Sequence, residues 1–132
     1  MKEKIFRIVH ATMHAIKGSS ISTKMCFPTL NIIDNDFDVL KLGNYYPILG
    51  NDINAFVKSK INSDTFGIIM WGVQRGNSSM SEDPTSLTND SKIVLIYEDI
   101  TGRRDVWEYS HSTQEFDSKG RLEKYPIGNF FN

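Results

Sequence analysis

The chain contains the run Thr65-Phe66-Gly67-Ile68-Ile69-Met70-Trp71-Gly72-Val73, which is almost continuously apolar. A second run, Ile93-Val94-Leu95-Ile96-Tyr97, has the same character. A strand whose two faces are both buried has such a sequence, because neither face meets water. The two runs therefore predict central strands of a sheet.

Shorter segments predict the rest of this sheet. Residues 105–109 alternate between apolar and polar side chains, which is typical of a strand with one buried face. Thr101-Gly102 has the residue types of a turn, so we expect residues 93–97 and 105–109 to pair as a hairpin. The other predicted strands are at 27–33, 37–42, 45–49 and 121–125, with Gly43-Asn44 as the turn between the second and third of these.

Two segments carry a helical repeat of apolar residues. At about 52–61 the apolar side chains form one stripe, the lysines lie opposite, and Asn51 or Asp52 can cap the first turn. We predict the main helix here, packed on the sheet. Residues 5–16 fit two periods, since they form an apolar stripe as a helix and favour a strand by their β-branched content. We favour the strand for residues 5–16, and the helix stays open as the alternative.

These elements predict a β-rich α+β domain with a mainly antiparallel sheet or a small barrel and one main helix at about 52–61. The chain has 132 residues, of which 39% are hydrophobic, so we expect residues 1–132 to form a single globular domain with an ordinary core. Residues 75–91 are polar and would form a long loop. Loops of that length are uncommon in compact domains and are either mobile or functional lids.

Charge and cysteine content limit the classes of partner. A formal net charge of −1 provides no broad positive field, so we expect no duplex nucleic acid as a partner. The single cysteine, Cys26, has no intramolecular partner for a disulfide, which favours a reducing compartment and predicts a cytoplasmic protein. No apolar run reaches the length of a membrane span, and the apolar stretch near the start is too interrupted for a signal peptide. We therefore expect no membrane partner.

Two His-x-Thr triplets, His10-Ala11-Thr12 and His111-Ser112-Thr113, form the first candidate site. On a strand this spacing places both side chains on one face. Two neighbouring strands would therefore bring two imidazoles and two threonine hydroxyls together around one phosphate. Imidazole can exchange a proton with the attacking or leaving oxygen near neutral pH, while the threonine hydroxyls donate to phosphate oxygens. The pattern resembles the two-histidine phosphoesterases. That resemblance implies His10, Thr12, His111 and Thr113 as catalytic residues acting on a nucleotide or an RNA end.

A second resemblance lies in Phe27-Pro28-Thr29-Leu30-Asn31, which is similar to the Phe-Pro-Thr-Ala-Asn segment of riboflavin kinases. In that family the Thr and the Asn bind the metal–nucleotide complex. The resemblance implies a six-stranded barrel with a nucleotide or flavin pocket at Thr29 and Asn31. The strand around Val94 has no glutamate where the family has its catalytic one, which argues against phosphoryl transfer by that mechanism.

Two further patterns complete the candidate sites. Gly72-Val73-Gln74-Arg75-Gly76-Asn77 could present backbone donors and a guanidinium to an anion, so Arg75 joins Thr29 and Asn31 as a candidate ligand-binding residue. On a helix, His10 and His14 would stand one turn apart at metal-ligand spacing. No spacing indicates a third ligand, and we predict neither a metal site nor a cofactor.

We conclude from the sequence that the chain is a small soluble binding or interaction domain without catalytic activity of its own. Its expected partner is a protein or a nucleotide-like small molecule. The alternatives from other classes are the phosphoesterase and the barrel similar to riboflavin kinases. The sequence sets no oligomeric state.

Overall fold

The structure is a computed structural model that describes residues 2–44, 53–75, 79–80, 85–123, 125 and 127–131. Within these residues the helices are α1 (Lys2–Thr23) and α2 (Ile53–Lys60). The strands are β1 (Met25–Cys26), β2 (Thr29–Asp34), β3 (Val39–Asn44), β4 (Thr65–Arg75), β5 (Ser79–Met80), β6 (Thr85–Ser86), β7 (Lys92–Asp99), β8 (Arg104–Ser110) and β9 (Glu115–Ser118).

The main sheet has the strand order β3-β2-β4-β7-β8-β9, and every neighbouring pair is antiparallel. Strand β5 pairs with the end of β4, while β1 and β6 form a separate two-stranded pair. The two apolar runs lie in β4 and β7 at the centre of the sheet, as predicted. Among the described residues β3 and β9 each pair on one side only, so the α+β class with a mainly antiparallel sheet is confirmed as an open sheet and not as a barrel.

The sheet has a hydrophobic cluster on each face, because successive strand residues point to opposite sides. Helix α1 covers one face, which we call the α1 face. Its buried residues are Ile5, Val9, Ile16, Cys26, Ile33, Phe66, Ile69, Val73, Leu87, Ile93, Leu95, Tyr97 and Tyr109. Helix α2, residue 125 and residues 127–131 cover the other face, which we call the tail face. Its buried residues are Leu30, Ile32, Ile53, Val57, Ile68, Met70, Val94, Ile96, Val106, Tyr125, Ile127 and Phe130.

Residues 5–16 lie within helix α1, so the strand predicted for them is wrong. The burial of α1 explains the difference: Ile5, Val9, Ile16 and Ser20 are buried, with spacings of 4, 7 and 4 residues that only a helix brings onto one face. The helix continues through Gly18 and ends at Thr23, where Lys24 has a positive φ of 56°. A left-handed residue at this position is a common helix end.

Three smaller predictions need comment. Helix α2 confirms the prediction at about 52–61, although α1 is the longer helix and residue 52 lies outside the described residues. Gly43 and Asn44 belong to β3 and pair with β2, so they are not a turn, and the strand predicted at 45–49 lies outside the described residues. The described residues of 121–125 are turn and coil, because β9 at 115–118 takes the edge position beside β8.

A buried ion pair holds the end of the chain against the tail face. Glu98 and Arg104, which we call the tail clamp, lie next to each other in the register of β7 and β8 and form a salt bridge. The carboxylate of Glu98 also accepts hydrogen bonds from the backbone N–H groups of Asn129 and Phe130, at 2.9 and 3.0 Å. The tail clamp therefore fixes residues 128–130 above the sheet.

The guanidinium of Arg104 makes four hydrogen bonds with its five N–H donors. Besides Glu98, it donates to the backbone carbonyls of Arg121, Leu122 and Ile127 at 2.6, 3.3 and 3.1 Å. Gly128 passes so close to this guanidinium that any side chain there would collide with it. A buried charge is tolerated when it is paired and most of its remaining donors are satisfied, as is the case in the tail clamp.

Candidate ligand-binding cleft

A cavity of about 430 Å³ lies between helix α1 and the sheet. We call it the α1 cleft. The helix supplies one wall and strands β2, β3 and β4 supply the other. Ala11, Ala15 and Val39 are exposed at its rim, so the cleft opens to the surface. Its lining residues are Ile8, Ala11, Thr12, Ala15, Thr29, Asn31, Val39 and Trp71.

The residue types on α1 explain why space remains beneath it. The helix residues that line the cleft are 8, 11, 12 and 15, which recur on one face of a helix. Ala11 and Ala15 are too short to reach the sheet, whereas Ile5, Val9 and Ile16, on a neighbouring stripe, are buried against it. The helix is thus held by its buried stripe and leaves a gap where its side chains are small.

Strand register brings the residues of the opposite wall together. Thr29 of β2 lies directly opposite Trp71 of β4, and Asn31 lies opposite Ile69. Since side chains two residues apart on a strand share a face, Thr29 and Asn31 both point to the α1 face beside Trp71. The indole of Trp71 is half-buried and contributes to the wall of the cleft.

Asn31 is the unusual polar residue of this wall. The residue is only 6% exposed, and its Oδ1 atom is buried with no hydrogen-bond partner in the part of the chain that the structure describes. A buried acceptor without a partner costs about 1–3 kcal/mol, so most are satisfied in native proteins. Two other side-chain atoms of the described residues are in the same state, His111 Nδ1 and Tyr125 Oη, but neither residue lines the α1 cleft. Asn31 thus combines an unsatisfied acceptor with a position at a cavity.

A second cavity of about 210 Å³, which we call the side cavity, adjoins the α1 cleft. The two share Ala15, Thr29 and Trp71, and the side cavity also contacts Cys26. Burial raises the pKa of the Cys26 thiol to about 12, so this residue is a neutral apolar part of the wall at physiological pH. Among the described residues, the lining of the two cavities contains no charged side chain.

Of the three residues predicted to bind a ligand, the structure brings two together. Thr29 and Asn31 line the α1 cleft, and the Thr29 hydroxyl donates to the carbonyl of Phe27 at 2.8 Å. Arg75 ends β4, four residues beyond Trp71 or about 13 Å along the strand, and its side chain lies outside the described part of the structure. A binding role for Thr29 and Asn31 stays a prediction.

The two His-x-Thr triplets lie on different kinds of element. His10 and Thr12 belong to α1, whereas His111 and Thr113 lie in the turn between β8 and β9. The paired strands on which the phosphoesterase hypothesis depends are therefore absent, because residues 5–16 are helical. The four candidate catalytic residues do not have the geometry from which their role was predicted.

The local contacts of His10 and Thr12 are those of an ordinary helix surface. His10 is exposed and its ring stacks on Phe6, with 4.0 Å between the ring centroids. The hydroxyl of Thr12 donates to the carbonyl of Ile8 at 2.8 Å, one turn earlier in the same helix. Within the part of the chain that the structure describes, no three His, Cys, Asp or Glu side chains form a group that could hold a metal ion.

Sequence reasoning missed Trp71 as a cleft residue, although Trp71 was correctly placed in a central strand. The relevant signal is the pairing of Thr29 with Trp71, which are 42 residues apart in the chain and meet only once β2 and β4 have paired. The sequence also gave no sign that Arg104 would be buried in the tail clamp.

Comparisons of the chain with known protein families, with curated proteins and with solved structures found no match in any of the three. Neither of the two described helices is both long and apolar enough to cross a membrane. The α1 cleft is therefore interpreted from its own residues.

Proposed function

We propose that this protein is a binding domain that holds a small, uncharged and mainly apolar molecule in the α1 cleft. The observation that carries the proposal is the unpartnered, buried Oδ1 atom of Asn31, a residue that lines a mainly apolar cavity. Small-molecule sites are typically concave and apolar, with few polar groups that orient the ligand. The α1 cleft has this composition.

The size of the cleft supports a small molecule as the occupant. Its volume of about 430 Å³ falls in the range of about 300–1,000 Å³ that is usual for ligand pockets. The side cavity extends this space past Trp71 towards Cys26, so a ligand longer than the cleft itself can be accommodated.

The lining argues against a phosphate group within the cleft. Phosphates are bound in proteins by Arg, Lys or clustered backbone N–H groups, and the described lining has no Arg or Lys. Of the expected nucleotide-like ligands, the cleft therefore fits the base or ring portion and not the phosphate portion.

The test uses the uncharged fluorophore N-phenyl-1-naphthylamine as a probe. We expect its fluorescence to rise on titration with the protein, and the thermal midpoint of unfolding to rise with probe concentration, because the probe binds only the folded state. The variant Trp107→Phe leaves Trp71 as the only tryptophan, so quenching of its emission would report binding at the cleft itself.

A matched pair of helix variants locates the site. Ala15→Phe places a ring in the cleft from α1, whereas Ala55→Phe places the same ring on the exposed surface of α2. We expect Ala15→Phe to weaken probe binding at least tenfold and Ala55→Phe to leave it unchanged. Equal binding by both variants would place the probe elsewhere and contradict the proposal.

A further inference from the structure

We infer that the ligand of the α1 cleft is a planar, uncharged aromatic molecule that carries an N–H or O–H donor, and that Asn31 selects it by accepting this hydrogen bond. The inference rests on the proposed binding function and adds the chemical class of ligand. It assigns to Asn31 a specificity-determining role.

The hydrogen-bonding state of Asn31 carries the first step of the argument. Its Oδ1 atom is shielded from solvent and has no protein partner, so the unliganded protein bears the cost of a desolvated acceptor. Asn31 lines the cleft, and χ2 has a broad energy profile, so a rotation about χ2 can present this oxygen to the cleft without moving β2. A ligand donor then supplies the hydrogen bond that the oxygen lacks in the free protein.

The polarity of the free group determines which ligands are favoured. A carbonyl oxygen accepts hydrogen bonds and cannot donate one. With Oδ1 presented to the cleft, a ligand atom that is only an acceptor faces it without a bond, and both groups stay unsatisfied. Sites built around a polar group discriminate strongly against ligands that lack its partner.

The walls favour an aromatic body. The Trp71 side chain lies beside Asn31 on the sheet, while Ala11 and Ala15 present short apolar side chains on the opposite wall. The space between an indole and two alanines suits a flat ring, and aromatic rings gain about 0.5–1.5 kcal/mol from stacked or edge contacts beyond the area they bury. The absence of charge from the described lining favours a neutral molecule.

The experiment compares 2-phenylindole with 2-phenylbenzofuran, which have nearly the same shape and differ in an N–H group against an oxygen atom. Dissociation constants are measured by Trp71 quenching in the Trp107→Phe background, for the chain with Asn31 and for Asn31→Leu. We expect the chain with Asn31 to bind the indole about tenfold more tightly. Asn31→Leu should bind the two ligands equally, with the benzofuran at least as tight as before.

The outcomes distinguish a failure of this inference from a failure of the proposed binding function. Binding of both ligands with equal affinity to the chain with Asn31 overturns the inference and keeps the proposed function. A preference for the benzofuran shows that the amide nitrogen faces the ligand and also overturns it. A preference for the indole that persists in Asn31→Leu assigns selection to another residue. If neither ligand nor the naphthylamine probe binds, the proposed function fails as well.

Discussion

The tail clamp on one face of the sheet and Asn31 on the other are buried polar groups with different bonding. On the tail face, two charged side chains are buried and nearly every donor and acceptor around them is used, since Arg104 donates to Glu98 and three carbonyls and Glu98 accepts two N–H groups. On the α1 face, Asn31 carries a single neutral acceptor that is unused and borders a cavity. Burial alone does not distinguish these groups, because all three side chains are at most 6% exposed.

The difference indicates that the tail clamp is structural, and it supports the binding role proposed for Asn31. A polar cluster whose bonds are nearly all made offers little to a ligand, because most new bonds would replace one already made. An unsatisfied group beside a cavity lowers stability in the free protein and gains a bond only when something enters. Native proteins keep such costs mainly where function needs them.

The largest expected effect comes from the tail clamp. Arg104→Ala leaves Glu98 buried without its countercharge and releases three carbonyls, so we expect the free energy of unfolding to fall by about 3–5 kcal/mol. Urea denaturation measures this loss. Hydrogen exchange should also accelerate at the Phe130 amide, which Glu98 protects.

The control for the tail clamp is a solvent-exposed ion pair on the protein surface. Arg7 and Glu3 form an exposed bridge at 3.3 Å on α1, and Arg7→Ala should change stability by no more than about 0.5 kcal/mol. Similar losses in the free energy of unfolding for Arg104→Ala and Arg7→Ala would mean that the buried ion pair does not stabilise the tail face.

The second effect is a loss of stability at alkaline pH, to which one buried titratable group on each face contributes. Burial raises the pKa of Cys26 on the α1 face, and that of Tyr125 on the tail face, to about 12. In the unfolded chain both groups lose their protons nearer pH 9–10, so above that range the unfolded state binds fewer protons than the folded state. The free energy of unfolding therefore falls as pH rises towards 12, by at most about 1.4 kcal/mol per pH unit for each group.

Stability measured from pH 8 to 11 in Cys26→Ala and Tyr125→Phe checks this. Each variant should reduce the steepness of the decline, while the stability that these groups contribute below pH 8 is constant. A decline of unchanged steepness in both variants would assign the alkaline sensitivity to other groups, of which Tyr97 is one, because burial and its hydrogen bond to Asp99 also raise its pKa.

The third effect has the opposite sign. Asn31→Leu and Tyr125→Phe each remove an unpartnered buried oxygen, one from each face, so each should raise the free energy of unfolding by about 1 kcal/mol. Only Asn31→Leu should also change ligand selection, because Tyr125 lines neither cavity. Thermal denaturation of both variants with and without 2-phenylindole makes the comparison. A loss of stability in Asn31→Leu would show that the amide has a structural bond in the free protein.

The sequence predicted the centre of this molecule better than its surfaces. Strands β4 and β7 were recognisable because both of their faces are buried and leave a continuous apolar run. Helix α1 was not, since its apolar residues fit two periods, and the choice depends on the sheet that buries Ile5, Val9 and Ile16. Physical context decided the structure here, not local propensity.

The contrast between local sequence signals and tertiary context also explains which cleft residues were predicted and which were missed. Thr29 and Asn31 were candidates through a short motif, which is local. Trp71 joins them only through strand pairing, and the cavity exists only because α1 places Ala11 and Ala15 above them. The tail clamp likewise depends on the carbonyls of Arg121, Leu122 and Ile127, which reach Arg104 only after the sheet has formed.

The last expected effect concerns a single hydrogen bond between α1 and the sheet. The hydroxyls of Ser20, near the end of α1, and Tyr109, on β8, lie 2.9 Å apart in a hydrogen bond, and both side chains are buried. We expect Tyr109→Phe and Ser20→Ala each to lower stability by about 1 kcal/mol, and the double variant to lose less than the sum. A double-mutant cycle by urea denaturation measures the coupling. A coupling energy near zero would mean that packing alone holds α1 on the sheet. A loss of stability as large as that of Arg104→Ala would mean that the α1 face depends on polar contacts as much as the tail face does.

A loss of stability near 1 kcal/mol fits a helix that is held mainly by its apolar stripe. The cleft between α1 and the sheet then exists without the disruption of a polar network.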